Sequence, residues 1–294
     1  MKQIAFVSGK GGTGKTSLVA AMARLFRTAI TADCDVDAAN LALLMPGEDG
    51  PAQPFDAGYR AVLDPEACTR CGLCADRCRF DAIEVEADGT PRFDPLACEG
   101  CRACSLICAA QAISFRENRA GQFWVRRTAH GNLVHAELGI AQDNSGKLVA
   151  KVREVARGQA ASLVDPLVLI DGPPGIGCPT HAALTGCDAA VAVAEPTRSS
   201  VHDLERLLAL TTHFRIPVWV VLNKCDLYPE GAARVSDLCR RHGLPLLAEI
   251  PFEEAIPGLL AQGRSALDAG PEVSGAIHLA RCELERRLSA ASVA

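Results

Sequence analysis

The chain has 294 residues, of which 49% are hydrophobic, and a formal net charge of -5 at pH 7. This composition supports a full hydrophobic core and excludes a chain-wide basic surface, so no nucleic-acid partner is expected. No charge-free apolar stretch reaches the roughly 18 residues that a membrane-spanning helix needs. The 14 cysteines follow an amino terminus with no room for a secretion signal. We therefore expect a cytoplasmic protein whose thiols bind a metal or a cluster.

Short apolar segments alternate with amphipathic helices over most of the chain. The predicted strands cover residues 2–8, 29–32, 167–170, 189–194 and 218–222. The predicted helices cover residues 16–26, 201–213 and 231–242. This alternation predicts an α/β fold with a mostly parallel sheet and helices on both faces.

The first turn carries a phosphate-binding pattern. Residues 9–16 read GKGGTGKT, which satisfies G-x-x-x-x-G-K-[ST] between a predicted strand and a predicted helix. In such a loop the backbone N–H groups surround the phosphates, while Lys15 contacts the terminal phosphates and Thr16 binds Mg²⁺. The nucleotide site is therefore predicted to comprise Gly9, Lys10, Gly11, Gly12, Thr13, Gly14, Lys15 and Thr16.

Three carboxylates follow the strand at residues 29–32. They are Asp33, Asp35 and Asp37, within the sequence DCDVD. A carboxylate at this place can orient the water that attacks the γ-phosphate. Three acidic residues in five positions are equally typical of a solvated turn, so the residues alone leave both interpretations open.

The segment of residues 60–118 interrupts the α/β pattern and holds eight cysteines. It also repeats itself, because DPEAC at residues 64–68 is followed 30 residues later by DPLAC at residues 94–98. The sequence thus predicts a first part of the α/β domain at 1–59, an insert at 60–118 that folds around its own clusters, and a second part at 119–294.

The eight cysteines have the spacing of bacterial two-cluster ferredoxins, C-x2-C-x2-C-x3-C repeated twice, in which each fourth cysteine binds the other cluster. The predicted ligand sets of two 4Fe–4S clusters are Cys68, Cys71, Cys74 and Cys108, and Cys98, Cys101, Cys104 and Cys78. Zinc sites normally use paired C-x2-C knuckles, which these two runs of four fit badly. Arg79 and Ala109 replace the proline that usually follows the fourth cysteine, and the charge of Arg79 is expected to raise the potential of a neighbouring cluster.

Asp171 ends the apolar strand at residues 167–170 and precedes the sequence GPPG. An aspartate at the end of a strand, with a glycine-containing loop behind it, is typical of the magnesium side of a phosphate-binding site. Asp171 and Thr16 are therefore the predicted Mg²⁺ residues. A simple role as the cap of the next helix is the alternative for Asp171.

The sequence KGGTGKT, with Lys10 at its start, resembles the deviant Walker A motif of the MinD/ParA/Mrp superfamily and of the nitrogenase iron protein. The resemblance is greatest to MinD-superfamily P-loop ATPases with an inserted ferredoxin domain. It extends through DCDVDAANL at Asp33, NSGKLV at Asn144, IDGPPGIGCP at Ile170, AEPTRSSVHDL at Ala194 and VLNKCDL at Val221.

The resemblance implies ATP as the nucleotide and a nucleotide-dependent homodimer in which Lys10 contacts phosphates across the interface. It also implies that Asp35 acts on the attacking water and that Asn223 recognises adenine. Lys224 and Asp226 give the guanine-recognising pattern N-K-x-D as well, but the deviant lysine favours adenine.

The preferred functional hypothesis is a Mg²⁺-dependent ATPase that couples a dimer switch to electron transfer through two 4Fe–4S clusters, with a redox or cofactor-acceptor protein as partner. One alternative is an iron–sulfur or metal-cofactor scaffold or carrier similar to the Mrp ATPases. Another is a spatial regulator similar to MinD or ParA.

Overall fold

The computed structural model describes residues 1–26, 29–140, 142 and 144–291, with the side chain of residue 291 left out. The chain forms two compact units. The first unit comprises Met1–Ala52, Phe123–Glu137 and Ser145–Ala294, and the second comprises Gln53–Gln122 and Leu138–Asn144. No helix in the described residues is both long and apolar enough to cross a bilayer.

The described residues form twelve strands. In chain order the strands are β1 (Lys2–Ser8), β2 (Ile30–Asp33), β3 (Gly47–Asp49), β4 (Gln53–Leu63), β5 (Ile83–Val85), β6 (Pro91–Phe93), β7 (Ile113–Thr128), β8 (Gly131–Leu138), β9 (Leu167–Pro174), β10 (Ala189–Ala194), β11 (Val218–Asn223) and β12 (Leu246–Ile250).

The two helices described in the second unit are single turns, and those of the first unit are longer except for the single turn at Leu41–Leu44. In chain order they are α1 (Lys15–Phe26), α2 (Leu41–Leu44), α3 (Leu73–Asp76), α4 (Ala103–Leu106), α5 (Ser145–Ala160), α6 (Cys178–Leu184), α7 (Arg198–Phe214), α8 (Pro229–His242), α9 (Ala255–Ala261) and α10 (Pro271–Ala291). A 3₁₀ turn at Ala266–Asp268 precedes α10.

The first unit is built on a sheet with the strand order β12-β11-β10-β1-β9-β2-β8-β7-β3. The strands from β12 to β8 pair in parallel, and β3 pairs antiparallel with β7 at the edge. Ile4 and Phe6 pack with α1 and α10, while Ala5 and Val7 on the opposite face are also fully buried. Since successive strand residues point to opposite faces, both faces of this sheet are covered.

The predicted fold class, an α/β fold with a mostly parallel sheet, is confirmed. The strand predicted at 167–170 is longer, because its continuation still pairs with β1 and brings Ser8 opposite Pro174. The helix predicted at 201–213 begins earlier, at Arg198, because the Thr197 side chain accepts a hydrogen bond from the Ser200 N–H. This polar first turn has no apolar periodicity from which the start could be predicted.

The second unit is a small α+β structure. Strand β4 pairs with β7, and β5 and β6 form an antiparallel hairpin. The helices α3 and α4 contact each other. The core contains Ala61, Cys74, Ala82, Ile83, Cys98 and Ile113. The unit is wider than the insert predicted at 60–118, and its assignment as a ferredoxin domain stays a prediction.

Candidate functional site

The phosphate-binding loop connects β1 to α1. Residues 9–14 form the loop, and Lys15 and Thr16 open α1. Gly14 has a φ of +85°, and a Cβ at this position would lie 2.2 Å from Asn223 Nδ2, so the loop requires glycine here. Asn223 Nδ2 donates a hydrogen bond to the Thr13 carbonyl oxygen at 2.8 Å. Asn223, which is expected to recognise adenine, therefore lies directly against the loop, at the carboxyl end of β11.

Lys15 and Asp171 form a buried ion pair. Lys15 Nζ lies 2.5 Å from Asp171 Oδ1, and the two side chains are 6% and 0% exposed. The second carboxylate oxygen, Asp171 Oδ2, is buried with no hydrogen-bond partner in the described part of the chain. The Thr16 hydroxyl lies 3.5 Å from Lys15 Nζ. Two oxygen donors beside the loop, of which one lacks a partner, fit the preference of Mg²⁺ for carboxylate and hydroxyl oxygens.

The carboxylates after β2 have different environments. Asp33 is fully buried, and its two oxygens accept the backbone N–H groups of Asp35 and Leu41 at 3.2 and 3.1 Å. Burial, followed by the charge of Asp171, raises the pKa of Asp33 to about 7. Asp35 is partly exposed, and burial followed by Asp171 also raises its pKa, whereas Lys15 lowers it. Asp33 thus shapes the turn, while Asp35 stays accessible to water near Lys15.

Lys10 is held by residues between the end of β10 and the first turn of α7. Its Nζ lies 2.5 Å from Glu195 Oε1 and 3.2 Å from both the Thr197 and the Ser199 hydroxyl oxygens. Lys224 Nζ also contacts Glu195, at 3.4 Å, and donates to the Gly12 carbonyl oxygen at 2.8 Å. In this structure the deviant lysine therefore contacts residues of its own subunit. We call this contact the Glu195 tether.

Electrostatics supports the Glu195 tether. Burial alone raises the pKa of Glu195, but Lys10 and Lys224 outweigh that effect and hold the pKa below its ordinary value. Sequence reasoning did not predict a role for Glu195. The available signal was its position in AEPTRSSV, directly after the apolar strand that ends at Ala194.

A cavity of about 260 Å³ adjoins the loop and is lined by Gly14, Asn223 and Phe252, among others. Asp226 lies at the position that would accept a guanine in the N-K-x-D pattern. Its Oδ1 instead accepts the backbone N–H of Phe252 at 2.7 Å. One oxygen of this carboxylate is thus engaged by the backbone, and the choice of adenine stays an expectation from the resemblance.

The eight cysteines of the second unit line two separate small cavities. One is lined by Cys68, Cys71, Cys74 and Cys108 together with Thr69 and mostly apolar residues, and we call it the Cys68 cavity. The other is lined by Cys78, Cys98, Cys101 and Cys104 together with apolar residues and the exposed Glu99 and Arg102, and we call it the Cys98 cavity. These are the two combinations that the ferredoxin spacing predicts, including the exchange of each fourth cysteine.

The backbone around the two cavities repeats at the 30-residue interval. Positive φ angles occur at Arg70 and Gly100, at Gly72 and Arg102, and at Asp81 and Gln111. Backbone N–H groups point at several sulfur atoms. Ala82 N donates to Cys78 Sγ at 3.4 Å, and Ala112 N donates to Cys108 Sγ at 3.3 Å. Hydrogen bonds to cysteine sulfur atoms are among the features by which a protein tunes a bound cluster.

No group of three or more His, Cys, Asp or Glu side chains in the described residues is close enough together to hold a metal ion. The thiols are nevertheless neighbours, since burial and then Cys98 raise the pKa of Cys104 to about 11. The cysteine sets are thus compatible with the predicted clusters, which stay a proposal.

Sequence comparison relates nearly the whole chain to one family. The family model described as CobQ/CobB/MinD/ParA nucleotide binding domain matches residues 4–266. The uncharacterized protein MJ0578 of Methanocaldococcus jannaschii is 33% identical over 279 residues, which cover 94% of this chain and 93% of that protein. The uncharacterized protein MJ0579 of the same organism is 23% identical over 283 residues, which cover 91% of this chain and 92% of that protein.

Solved structures share the fold at lower identity. The cell division ATPase MinD of Pyrococcus furiosus has a TM-score of 0.56 at 21% identity, with 97% of this chain and 98% of that chain covered. The McdA(D38A)–ATP complex from Cyanothece has a TM-score of 0.59 at 16% identity, with 97% and 96% covered. At these identities the likeness concerns the fold alone.

Proposed function

Because the chain belongs to the CobQ/CobB/MinD/ParA nucleotide-binding family and is an ATPase of the MinD/ParA type, we propose that it couples an ATP-dependent homodimer to electron transfer through two 4Fe–4S clusters. The observation that carries this proposal is the division of eight cysteines between two cavities, in the combinations that the ferredoxin spacing predicts. Bound clusters would supply one-electron transfer, and the partner is a redox or cofactor-acceptor protein.

ATP and Mg²⁺ are assigned to the loop between β1 and α1. Lys15 and the loop N–H groups bind the phosphates, and Thr16 and the unpartnered Asp171 Oδ2 serve the Mg²⁺ ion. Asp35 orients the attacking water. Among proteins of the same fold, MinD of Pyrococcus horikoshii has been solved with Mg-ADP and McdA with ATP, which supports this choice of ligands.

Dimer formation requires Lys10 to leave the Glu195 tether. In the proposed dimer its ammonium group contacts the phosphates bound by the other subunit, so the ion pair to Glu195 competes with the cross-subunit contact. The tether thus holds back the dimer until ATP supplies a stronger anionic partner.

Glu195→Gln is expected to raise the steady-state ATPase rate by up to about fivefold, the factor that corresponds to the roughly 1 kcal/mol of a partly exposed ion pair. The amide keeps the shape of the side chain but removes the negative charge that attracts Lys10, which weakens the tether. Glu230→Gln is the matched control, because Glu230 forms an exposed ion pair with Arg234 on α8. A lower rate in Glu195→Gln would contradict the restraining role and make Glu195 part of the hydrolysing site.

Strands β2 and β8 offer a route by which the nucleotide site could be coupled to the clusters. Strand β2 ends at Asp33 and pairs with β8, with Thr31 opposite Leu133 and Ala32 opposite Val134. Strand β8 ends at Leu138, where the chain enters the second unit. A rearrangement of the turn after β2 on phosphate binding therefore acts on a strand that continues toward the cysteine-bearing unit.

Chemical analysis of anaerobically prepared protein tests the cluster assignment. Two cubanes predict about eight irons and eight sulfides per chain, with broad visible absorbance that decreases on reduction. Stoichiometric zinc without acid-labile sulfide would exclude the proposed electron transfer and leave an ATPase with structural metal sites.

A spatial regulator is the second candidate. The comparisons support it more directly than they support electron transfer, because the similar structures include cell division and plasmid partition proteins and none of the matches reported above is described as an iron–sulfur protein. This candidate predicts that the protein binds a surface in the presence of ATP, and that reduction of the clusters does not change this binding. A scaffold or carrier, the third candidate, predicts release of iron and sulfide to an apo-protein.

A further inference from the structure

Arg60, on strand β4, is a buried cation in the second unit. Its side chain is 8% exposed. Its Nη1 donates a hydrogen bond to the Cys98 carbonyl oxygen, and its Nη2 donates to Gln142 Oε1 at 3.0 Å. Both acceptors are neutral, and its Nε is buried with no hydrogen-bond partner among the described residues. Within the described residues this buried guanidinium is held by neutral groups alone, and a buried cation in that setting is unfavourable unless a negative charge lies nearby.

The Cys98 cavity can supply that negative charge. Cys98 accepts the hydrogen bond from Arg60 and also lines the cavity. A cluster held by four thiolates is anionic, and its negative charge increases by one on reduction. A nearby cation therefore stabilises the reduced form more than the oxidised form.

We propose that Arg60 raises the reduction potential of the cluster in the Cys98 cavity above that of the cluster in the Cys68 cavity, an inference that rests on the proposed function. Arg60 is thereby a potential-determining residue that directs electrons toward one of the two clusters. It acts through its charge, without ligating the cluster.

The internal repeat shows that, among the described residues, only the second cysteine run is contacted by a cation in this position. At the 30-residue interval, Cys98 corresponds to Cys68 and Arg60 corresponds to Thr90. The Thr90 hydroxyl is neutral and donates to Asp88 Oδ2 at 2.9 Å. The first half therefore offers a neutral residue at the position where the second half receives a buried cation.

Close packing keeps Arg60 against the cysteine loop. Gly100 has a φ of +62°, and a Cβ on it would lie 2.2 Å from the Tyr59 carbonyl oxygen. The guanidinium carbon of Arg102 lies 4.8 Å from the centroid of the Tyr59 ring. The loop that carries Cys98 and Cys101 is thus fixed directly on β4, beside Arg60.

Arg79 is the natural control. It adjoins Cys78, a residue of the Cys98 cavity, but its side chain is exposed. Water and salt screen an exposed charge far more than a buried one. The sequence pointed to Arg79 as the residue that tunes the potential, whereas burial assigns the larger effect to Arg60.

The test compares Arg60→Gln, Arg60→Lys and Arg79→Gln by anaerobic redox titration with dithionite, followed by EPR spectroscopy. Each variant is made in the full chain and in two backgrounds. Cys71→Ser is expected to leave only the cluster of the Cys98 cavity, and Cys101→Ser only the other cluster. Iron and sulfide contents are measured in every sample, which keeps cluster loss distinct from a change of potential.

Arg60→Gln is expected to lower the potential in the Cys71→Ser background by at least a tenfold change in the reduction equilibrium, about 59 mV for one electron. In the Cys101→Ser background no shift is expected. Arg60→Lys retains the charge and should restore most of the potential, and Arg79→Gln should shift it less than Arg60→Gln.

A shift in Arg60→Gln no larger than in Arg79→Gln, or an equal shift in both backgrounds, would overturn the inference. If Arg60→Gln loses the cluster while Arg60→Lys keeps it at a near wild-type potential, the charge role is supported. Loss in both variants would overturn it in favour of a structural role. Wild-type protein without iron and sulfide would refute the proposed function itself, whereas unchanged potentials in fully loaded protein refute only the role of Arg60.

Discussion

Lys15→Ala is expected to weaken ATP binding by about 100-fold or more, because it removes a charge-assisted contact to the phosphates worth roughly 3 kcal/mol. It also leaves Asp171 buried without its ion-pair partner, at a cost to stability of about 3–5 kcal/mol. Calorimetric titration with ATP, below the melting temperature of the variant, measures the first effect. Thermal unfolding of the nucleotide-free protein measures the second.

Lys10→Ala is the matched variant in the same loop. Lys10 is 33% exposed and contacts Glu195, so its loss should leave both ATP affinity and stability close to wild type. Dimer formation with ATP and hydrolysis should fail, because the cross-subunit contact is missing. Equal loss of ATP affinity in the two variants would contradict the separate roles assigned to these lysines.

Cys71→Ser and Cys101→Ser are each expected to halve the iron and sulfide content while ATP binding is retained. The reason is that Cys71 lines the Cys68 cavity and Cys101 lines the Cys98 cavity. A serine oxygen is a poor substitute for a thiolate ligand of iron. Iron and sulfide analysis, with ATP titration of the same samples, measures the effect.

Cys282→Ser is the control for these cysteine variants, because Cys282 is an exposed thiol on α10 and outside both cavities. It should retain the full cluster content. Unchanged iron content in Cys71→Ser and Cys101→Ser would show that the cysteine sets do not hold clusters. Complete loss of iron from either variant would contradict two separately held clusters.

The parallel sheet was predictable because its signals are local. The apolar runs that became β1 and β10 match the predicted bounds, 2–8 and 189–194. Fully buried strands of a parallel sheet are uniformly apolar, and that pattern is readable without tertiary information. The continuation of β9 through Asp171 to Pro174 was not readable, because polar and proline residues pair there only in the presence of β1.

The candidate sites were predictable as far as ligand spacing determines them. The loop pattern and the cysteine runs each specify their residues within a few positions. Glu195 and Arg60 were not predictable, because their roles depend on partners far away in the sequence, Lys10 and Cys98. Conversely, the sequence left the carboxylates after β2 open, and burial distinguishes Asp33, which binds backbone N–H groups, from the partly exposed Asp35.

The central claim, that the nucleotide and the clusters are coupled, is tested most directly by anaerobic redox titration with and without a non-hydrolysable ATP analogue. Coupling between binding equilibria is reciprocal, so a shift of about 60 mV for one electron must accompany a tenfold change in nucleotide affinity on reduction. We predict a shift at least that large in the wild-type protein and none in Lys15→Ala. Reduction potentials that are unchanged by the nucleotide, together with nucleotide affinities that are unchanged by reduction, would contradict the coupling and favour the spatial regulator.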